Sequence, residues 1–580
     1  MPMRVRRLAP GLVALLAYRR ADLVPDLIAG VSVAAVALPV GIAYAEIAGV
    51  PPVVGLYAAI FPLFAYALLG SSRQLITGPD AATCIMAATA VGAIAGGDPG
   101  RYAALMVALT LLTGLFYLLA GAARLGFIAN FLSRPILTGY LNGIALLIIV
   151  GQLPKLCGLA GGGGDSFAAK LTSLFDHVDQ VHPPSLILGA GLLILLLALR
   201  RWLPRLPAPL IVAVLGIVAV AAFGLADRGV AVLGPVPAGL PAPRLPAIAP
   251  ADLRPLLWDA AGITLISFTS GVLTAQSFAR RNRYDIDANQ ELIAFGAANL
   301  AAGLAQGFPV TGADSRTAVN DATGGRTQLV GIVAGLTMLI FLQFLTQPLR
   351  LLPTAALAAI IIVSAFGLFD AAALRQLWRA SGRELLLSVA TTAGVLFLGV
   401  LPGVLLAVVL SLLWLLAVGS RPHDAILGRA AGVKGFHDIA DYAGARTVPG
   451  LLLYRFDADL VFFNSDYFKA RILHHVDAAA TPIEWVVVDA SPVNIVDYTA
   501  VKMLDELRAE LEGRGIVLAS ARAKQSLQRY FKPHWVHERG QESNHPSFPT
   551  IKAAIDAFEH RPRSEDTPEA PGRGQPLIRP

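Results

Sequence analysis

Thr77–Ala93 reads TGPDAATCIMAATAVGA and Phe308–Ala322 reads FPVTGADSRTAVNDA. Each is a short apolar stretch opened by helix breakers, Gly78-Pro79 in one and Pro309 with Gly312 in the other, and each lies inside a long run of apolar segments. Lipid offers a broken backbone no hydrogen-bond partner, so such a break survives only where protein or a water-filled cavity covers it. One broken segment in each half of the chain marks the central binding site of a transporter. The second stretch also carries Asp314-Ser315-Arg316, a carboxylate and a guanidinium where charge is costly. An anion is the expected cargo.

Composition sets the medium. Hydrophobic residues make up 55% of the 580 positions and charged residues 15%, against roughly 25% charged in a soluble domain. Two cysteines, Cys84 and Cys157, cannot build a disulfide framework, and no metal or cofactor is expected. The net charge of +7 reports orientation in a membrane rather than nucleic-acid binding, because the arginines alternate with apolar segments. The start, MRVRRLAPGLVALLAYRR, mimics a signal peptide but has no small-residue cleavage site, which predicts a cytosolic amphipathic helix.

A bilayer core of ~30 Å takes about 20 apolar residues per helix. On that basis about fourteen segments begin near Leu27, Val53, Thr77, Tyr102, Phe131, Ser185, Ala208, Leu257, Glu291, Val310, Leu329, Thr354, Glu384 and Pro402. Alternate loops carry fifteen arginines from Arg19 to Arg421, Arg205 among them, against seven cations on the other side, including Arg101, Lys155 and Lys170. The rich side is cytoplasmic by the positive-inside rule, and both chain ends fall there. Fourteen divides into two sevens, an odd number per half, which makes the halves inverted repeats with Thr77 and Val310 each opening the third segment.

The expected organisation is a cytosolic segment over residues 1–25, an all-α membrane domain over 26–420, a cytosolic α/β domain over 421–560 and a disordered tail over 561–580. In the α/β part, Leu451–Phe456, Val461–Phe463, Ile483–Asp489 and Ile516–Ala519 read as strands, with Asp466–His474 and Asp497–Glu512 as helices.

The residues of three stretches resemble the SulP sulfate-permease family, whose animal relatives include anion exchangers and prestin. They are Asp26–Pro79 (DLIAG, ALPVGIAYAEIAGVPPVVGLYAAIFP, GSSRQ, TGP), Leu125–Ile148 (LGFIANFLSRPILTGYLNGIALLI) and Asn289–Leu329 (NQELIAFGAANLAAGLAQGFPVTGADSRTAVNDATGGRTQL). VVVDASPVNIVDYTAVKML looks like the core of a STAS domain. The resemblance implies a uracil-permease-like fold in which a core moves against a gate, with the anion between the third and tenth spans. It implies no enzyme activity, a homodimer in membrane lipid, a small anion as substrate, and a proton or cation as candidate co-substrate in a bacterial cytoplasmic membrane.

Arg316 is the expected charge for the anion, with Ser315, Asp314 and the backbone of Gly78, Pro79, Asp80 and Ala81 around it, and Tyr44 on the wall. A guanidinium holds an oxyanion through two parallel hydrogen bonds, which suits sulfate, bicarbonate or a carboxylate; the plainer alternative is an arginine reaching to the interface. Three departures from the family pattern matter. Ser270 in SFTSGVL stands where many members carry a coupling carboxylate. Pro39-Val40 lacks the usual glutamine near the anion, with Glu46 assigned to the outer mouth. Asp80 is new, and is either a helix cap or a proton-binding group whose charge opposes the anion. Asn289, Gln290, Asn299, Asn320 and Asp321 are expected to satisfy freed backbone groups. In the STAS-like part, Asp497-Tyr498-Thr499-Ala500 lacks the switch serine of bacterial signalling relatives, which leaves a structural or dimer-forming role. A nucleobase permease, a passive channel or exchanger, and a STAS-linked membrane sensor are the competing readings.

Overall fold

The computed structural model describes residues 9–127, 133–159, 167–203, 206–442, 444–524 and 546–561. Phe131, Arg205 and the tail beyond Arg561 therefore lie outside the described residues. The chain divides into two compact units, residues 1–411 and 412–580.

The first unit begins with α1 (Pro10–Leu16), whose Gly11 is buried close to the backbone of Leu68. Then come α2 (Leu23–Ile47), α3 (Pro52–Leu69), the two-residue strand β1 (Thr77–Gly78), α4 (Ala81–Ala95), α5 (Pro99–Ala122), α6 (Arg134–Leu156), α7 (Phe167–Asp176), α8 (Pro183–Trp202) and α9 (Ala208–Phe223). The second half runs through α10 (Pro250–Arg281), α11 (Ala288–Leu304), β2 (Thr311–Gly312), α12 (Asp314–Ala322), α13 (Leu329–Phe344), α14 (Thr354–Phe366), α15 (Ala371–Ala380), α16 (Gly382–Phe397) and α17 (Val400–Ser420). Apart from α7 and α15, the helices from α2 to α17 correspond one to one with the fourteen predicted segments. Eight helices among the described residues are long and apolar enough to cross a membrane by length and composition, while α4, α9 and α13 are apolar but shorter.

The short helices have a physical cause. With 15 and 9 residues, α4 and α12 rise only about 22 Å and 13 Å, less than a hydrocarbon core. The missing length is supplied by β1 and β2, so the predicted starts at Thr77 and Val310 belong to extended chain. Most of the other helices are apolar around their whole circumference, as membrane segments are.

Packing sorts the helices into two groups. One contains α2–α5 and α10–α13; the other contains α6, α8, α9, α14 and α16, and α2 meets it through α9 and α14. An inverted repeat is visible in the carboxylate contacts of the first group. Asp26 in the first turn of α2 is fully buried and accepts from the backbone N–H groups of Arg326 and Thr327, at 2.7 and 3.3 Å, just before α13. In the other half, Asp252 in the first turn of α10 pairs with Arg101 at the start of α5, at 2.7 Å. Each repeat thus ties its first helix to the fourth helix of the other.

In the second unit, β3 (Asp424–Gly428), β4 (His437–Asp438), β5 (Leu451–Phe456), β6 (Trp485–Asp489), β7 (Val517–Ala521) and β8 (Ser547–Phe548) form one sheet ordered β4-β3-β5-β6-β7-β8. β3 runs antiparallel to β5, and β5 through β8 are parallel. Helices α18 (Ser465–Asp477) and α19 (Tyr498–Gly513) cover one face, and α20 (Ile551–Glu559) the other. The predicted strand Val461–Phe463 is instead a turn into α18. Its apolar residues misled: Phe462 is 65% exposed, and the Val461 and Phe462 N–H groups go to Asn464 Oδ1 and Asp497 Oδ2 rather than to a ladder.

Candidate functional site

β1 and β2 pair antiparallel, with Thr77 opposite Gly312 and Gly78 opposite Thr311. The Ala313 N–H continues the contact to the Ile76 carbonyl at 2.8 Å. Two extended segments thereby satisfy each other's backbone inside the membrane unit, and each leads into the start of a half-length helix. The segment before β2 is held by Asn299, whose carboxamide accepts from the Val310 N–H and donates to the Val310 carbonyl, both at 2.9 Å. Further polar residues do the same work: Asn320 donates to the Gln74 carbonyl, Gln290 to the Leu69 carbonyl, and Asn289 accepts from the Gly126 N–H. Asp321 instead pairs with Arg281 at 3.0 Å and accepts from Asn282.

Arg316 lies in the first turn of α12 and is 1% exposed. Its Nη2 donates to the Pro79 carbonyl at the other helix start, while Nε has no protein partner. Tyr44 of α2, buried, lies within electrostatic reach of both Asp80 and Arg316. Asp80 also lies within reach of Asp314. The structure thus brings Tyr44, Gly78, Pro79, Asp80, Asp314 and Arg316 to one place, with Ala81 buried beside them as the first residue of α4. Asp314 and Ser315 are exposed, and Asp80 is partly so.

The two helix starts are not alike. Asp80 caps α4, its Oδ2 accepting from the Ala82 and Thr83 N–H groups at 3.2 and 3.5 Å. The residue before α12 is Ala313, which has no capping side chain. The N–H groups at the start of α12 are therefore left without a side-chain cap. Ser270 is half-buried on α10, and the next residue, Gly271, explains the close packing there: a Cβ on it would lie 2.7 Å from Thr311 Oγ1.

Two groups were missed in the sequence. Thr274, one turn beyond Ser270, bonds Asp314 across from α10 to α12. Glu291, fully buried in α11, accepts from the Tyr66 hydroxyl at 2.6 Å, from Ser71 N and Oγ at 2.8 and 2.7 Å, and from the Ser72 N–H at 3.1 Å. A lone acid in an apolar span was the signal for Glu291. In the second unit, Asp497 caps α19 through the Ala500 N–H at 2.8 Å, and Tyr498 is 61% exposed.

The description of the sulfate permease family matches residues 23–391, and that of the STAS domain matches residues 442–542. A probable sulfate transporter of Mycobacterium tuberculosis is 46% identical over 553 residues, which cover 95% of this chain and 98% of the relative. A chloroplastic sulfate transporter of Arabidopsis thaliana is 32% identical over 511 residues, or 85% and 74% of the two chains. Among solved structures, the murine solute carrier 26 family member A9 anion transporter in its inward-facing state superposes with a TM-score of 0.90 over 97% of this chain and 95% of its own, at 22% identity. That last likeness is one of fold. With the family match covering more than half of its length, the chain belongs to the sulfate permease family.

Proposed function

We propose that this permease is a secondary carrier of small oxyanions, of the sulfate, bicarbonate or dicarboxylate class, working by alternating access. Permeases move solutes rather than transform them, and the relatives named sulfate transporters support the substrate class. The observation that carries the reading is Arg316: a buried guanidinium with an unpartnered Nε, set between two helix starts. Its planar donors suit an oxyanion, and Ser315 and the uncapped start of α12 add donors beside it. Gly78, Pro79, Asp80, Ala81 and Tyr44 form the facing wall, and Ser270 lies on the flanking helix.

In this reading the helix group with α2–α5 and α10–α13 is the core, and it slides as a rigid body against the gate group that contains α6 and α14. A proton accompanies the anion on a carboxylate of the site, because Asp80 and Asp314 together outnumber the single guanidinium. The protein sits in a bacterial cytoplasmic membrane with both termini in the cytosol and works as a homodimer to which the STAS domain contributes. The second reading, a passive channel or exchanger, is favoured by Ser270, which offers no carboxylate on α10. A STAS-linked sensor has no comparable support.

The deciding experiment is uptake of labelled sulfate, bicarbonate and fumarate into proteoliposomes with and without an imposed inward proton gradient. Stimulation of one anion, lost in Arg316→Ala, is the expected result. Equal flux with and without the gradient would favour the channel or exchanger, and unaltered flux in Arg316→Ala would remove the site.

A further inference from the structure

The chain repeats three of four residues at its two helix starts, Thr77-Gly78-Pro79-Asp80 and Thr311-Gly312-Ala313-Asp314. The β1–β2 register relates them by a local two-fold, Thr77 facing Gly312 and Gly78 facing Thr311. Asp80 and Asp314 are therefore equivalent positions of the inverted repeats, two carboxylates that meet at one site. Their surroundings are unequal. Asp80 accepts two backbone N–H groups at the start of its own helix, donors that favour the ionised form. Asp314 caps nothing; its Oδ1 lies against Thr274 Oγ1 of α10.

Thr274 Oγ1 is also hydrogen-bonded to the Ser270 carbonyl, at 3.0 Å. A threonine hydroxyl has one proton to donate, and a carbonyl can only accept. Thr274 can give that proton either to Asp314 Oδ1 or to the Ser270 carbonyl; with a proton on Asp314 both contacts are satisfied at once, the carboxyl O–H going to Thr274 Oγ1 and the Thr274 proton to the carbonyl. Charge points the same way. Arg316 is the cation at this site, and its Nη2 goes to the Pro79 carbonyl rather than to either acid. The other charged groups do not change the balance: Asp80 lies at the α4 start, and Arg281, at the end of α10, is taken up by Asp321 two turns along α12. Two carboxylates against one guanidinium leave one negative charge facing an incoming anion. One proton on Asp314 removes it and leaves Asp80 balanced by Arg316. Asp314 is also exposed in the fold.

We propose that Asp314, held by Thr274, is the residue that carries the proton accompanying the anion, while Asp80 stays ionised as a helix cap. This rests on the carrier reading above. The proton is taken up from solvent by the Asp314 carboxylate and stays on it, its O–H donating to Thr274 Oγ1 while the Thr274 hydroxyl keeps its own proton and donates it to the Ser270 carbonyl, and it is returned to solvent on the other side. No covalent bond between heavy atoms forms or breaks.

The test uses the full-length protein in lipid, with two readouts. Infrared difference spectra on acidification report the carbonyl stretch of a protonated carboxyl group, and proteoliposome uptake of sulfate, bicarbonate and fumarate reports stimulation by an inward proton gradient. We expect the band to disappear in Asp314→Asn, to persist in Asp80→Asn, to shift in frequency in Thr274→Val and to return to its wild-type position in Thr274→Ser. The gradient stimulation is lost in Asp314→Asn. Loss of the band in Asp80→Asn instead, or stimulation that survives Asp314→Asn, overturns the assignment. Should the asparagine variants transport too little to measure, the infrared band alone decides. A wild-type protein that moves none of the three anions overturns the carrier reading whatever the band does, so the two failures are told apart.

Discussion

A Cβ built on Gly78 would lie 3.0 Å from Arg316 Nη1, and Gly78 holds a φ of +154°. Backbone conformation and close approach thus both require glycine where β1 passes the guanidinium. Gly78→Ala pushes against the group that donates to the Pro79 carbonyl, so Arg316 must move. The contact alone asks Arg316 to give by a few tenths of an ångström, the changed backbone at residue 78 adds to that, and a full misplacement of about 1 Å at a site costs on the order of 10²-fold in rate. Anion uptake by Gly78→Ala should fall by about 10–100-fold while the protein still elutes as a folded species in detergent. Wild-type uptake in this variant would mean that Arg316 has an equally good position elsewhere.

Asn299 should matter for stability rather than for substrate. It is fully buried, and its side chain satisfies both backbone groups of Val310 as well as the Phe295 carbonyl. Asn299→Leu is close in size but strips the Val310 N–H and carbonyl of their partners. Each buried group left unsatisfied costs about 1–3 kcal/mol. A thermal melt in detergent should show a clearly lowered midpoint, and affinity for whichever anion the wild type takes up should stay within a few-fold in the surviving folded fraction. A large loss of affinity with an unchanged melting point would place Asn299 in the substrate pocket instead.

How much of this could be read in the sequence follows from where each signal lies. Pro79, Gly312 and Arg316 stand out locally, as a break and a charge inside apolar chain, and the structure assembles them. The pairing of β1 with β2 is invisible beforehand, because two-residue strands have no period and their partners are more than 230 residues apart. Thr274 escaped for a similar reason: a threonine bonding a carbonyl one turn back is unremarkable until Asp314 of a distant helix arrives beside it. Asp80 and Asp314 were each legible as charges in apolar chain, and the shared Thr-Gly-X-Asp pattern that makes them equivalent was legible too. Val461–Phe463 fails the other way, since apolar residues at a helix entry resemble a strand when their exposure is unknown.

The second unit has a pH response of its own. Arg471 Nε donates to Asp424 Oδ2 at 2.8 Å, and Arg471 Nη2 donates to His475 Nε2 at 2.9 Å. Burial raises the Asp424 pKa, but the hydrogen bond and the charge of Arg471 oppose it, and the carboxyl is held below its ordinary value. Burial, and then the charge of Arg471, hold His475 below its ordinary value too. Both folded pKa values are depressed, so both contributions are present above the unfolded pKa and are lost as pH falls toward the folded one. The His475 part begins to fade below about pH 6.5, and the Asp424 part only below about pH 4. Hydrogen exchange of β3 and α18 in the full-length protein, corrected for intrinsic rates, should show protection declining between about pH 7 and pH 5. The decline should flatten in His475→Gln; an unchanged slope there would assign it to another group.

Glu46 and Lys155 join the two helix groups of the membrane unit. Glu46 ends α2 and Lys155 ends α6, and their charges meet at 2.7 Å with side chains 21% and 35% exposed. They line a cavity of about 520 Å³ together with Thr89, Gly92 and Gln152. If the groups separate at this mouth during transport, the pair must break each time. A half-exposed pair is worth at most about 1 kcal/mol, so removing it shifts the balance of states by up to about fivefold. Glu46→Gln and Lys155→Met should each raise the rate at which a membrane-impermeant thiol reagent labels a cysteine placed at Gly92. Glu46→Lys should raise it further, because two cations then face one another. The double exchange Glu46→Lys with Lys155→Glu should bring it back toward the starting rate. That recovery separates an ion pair acting between the groups from two independent effects on the cavity, since only the former depends on the product of the charges. Equal labelling in all four proteins would show that the mouth opens without breaking the contact.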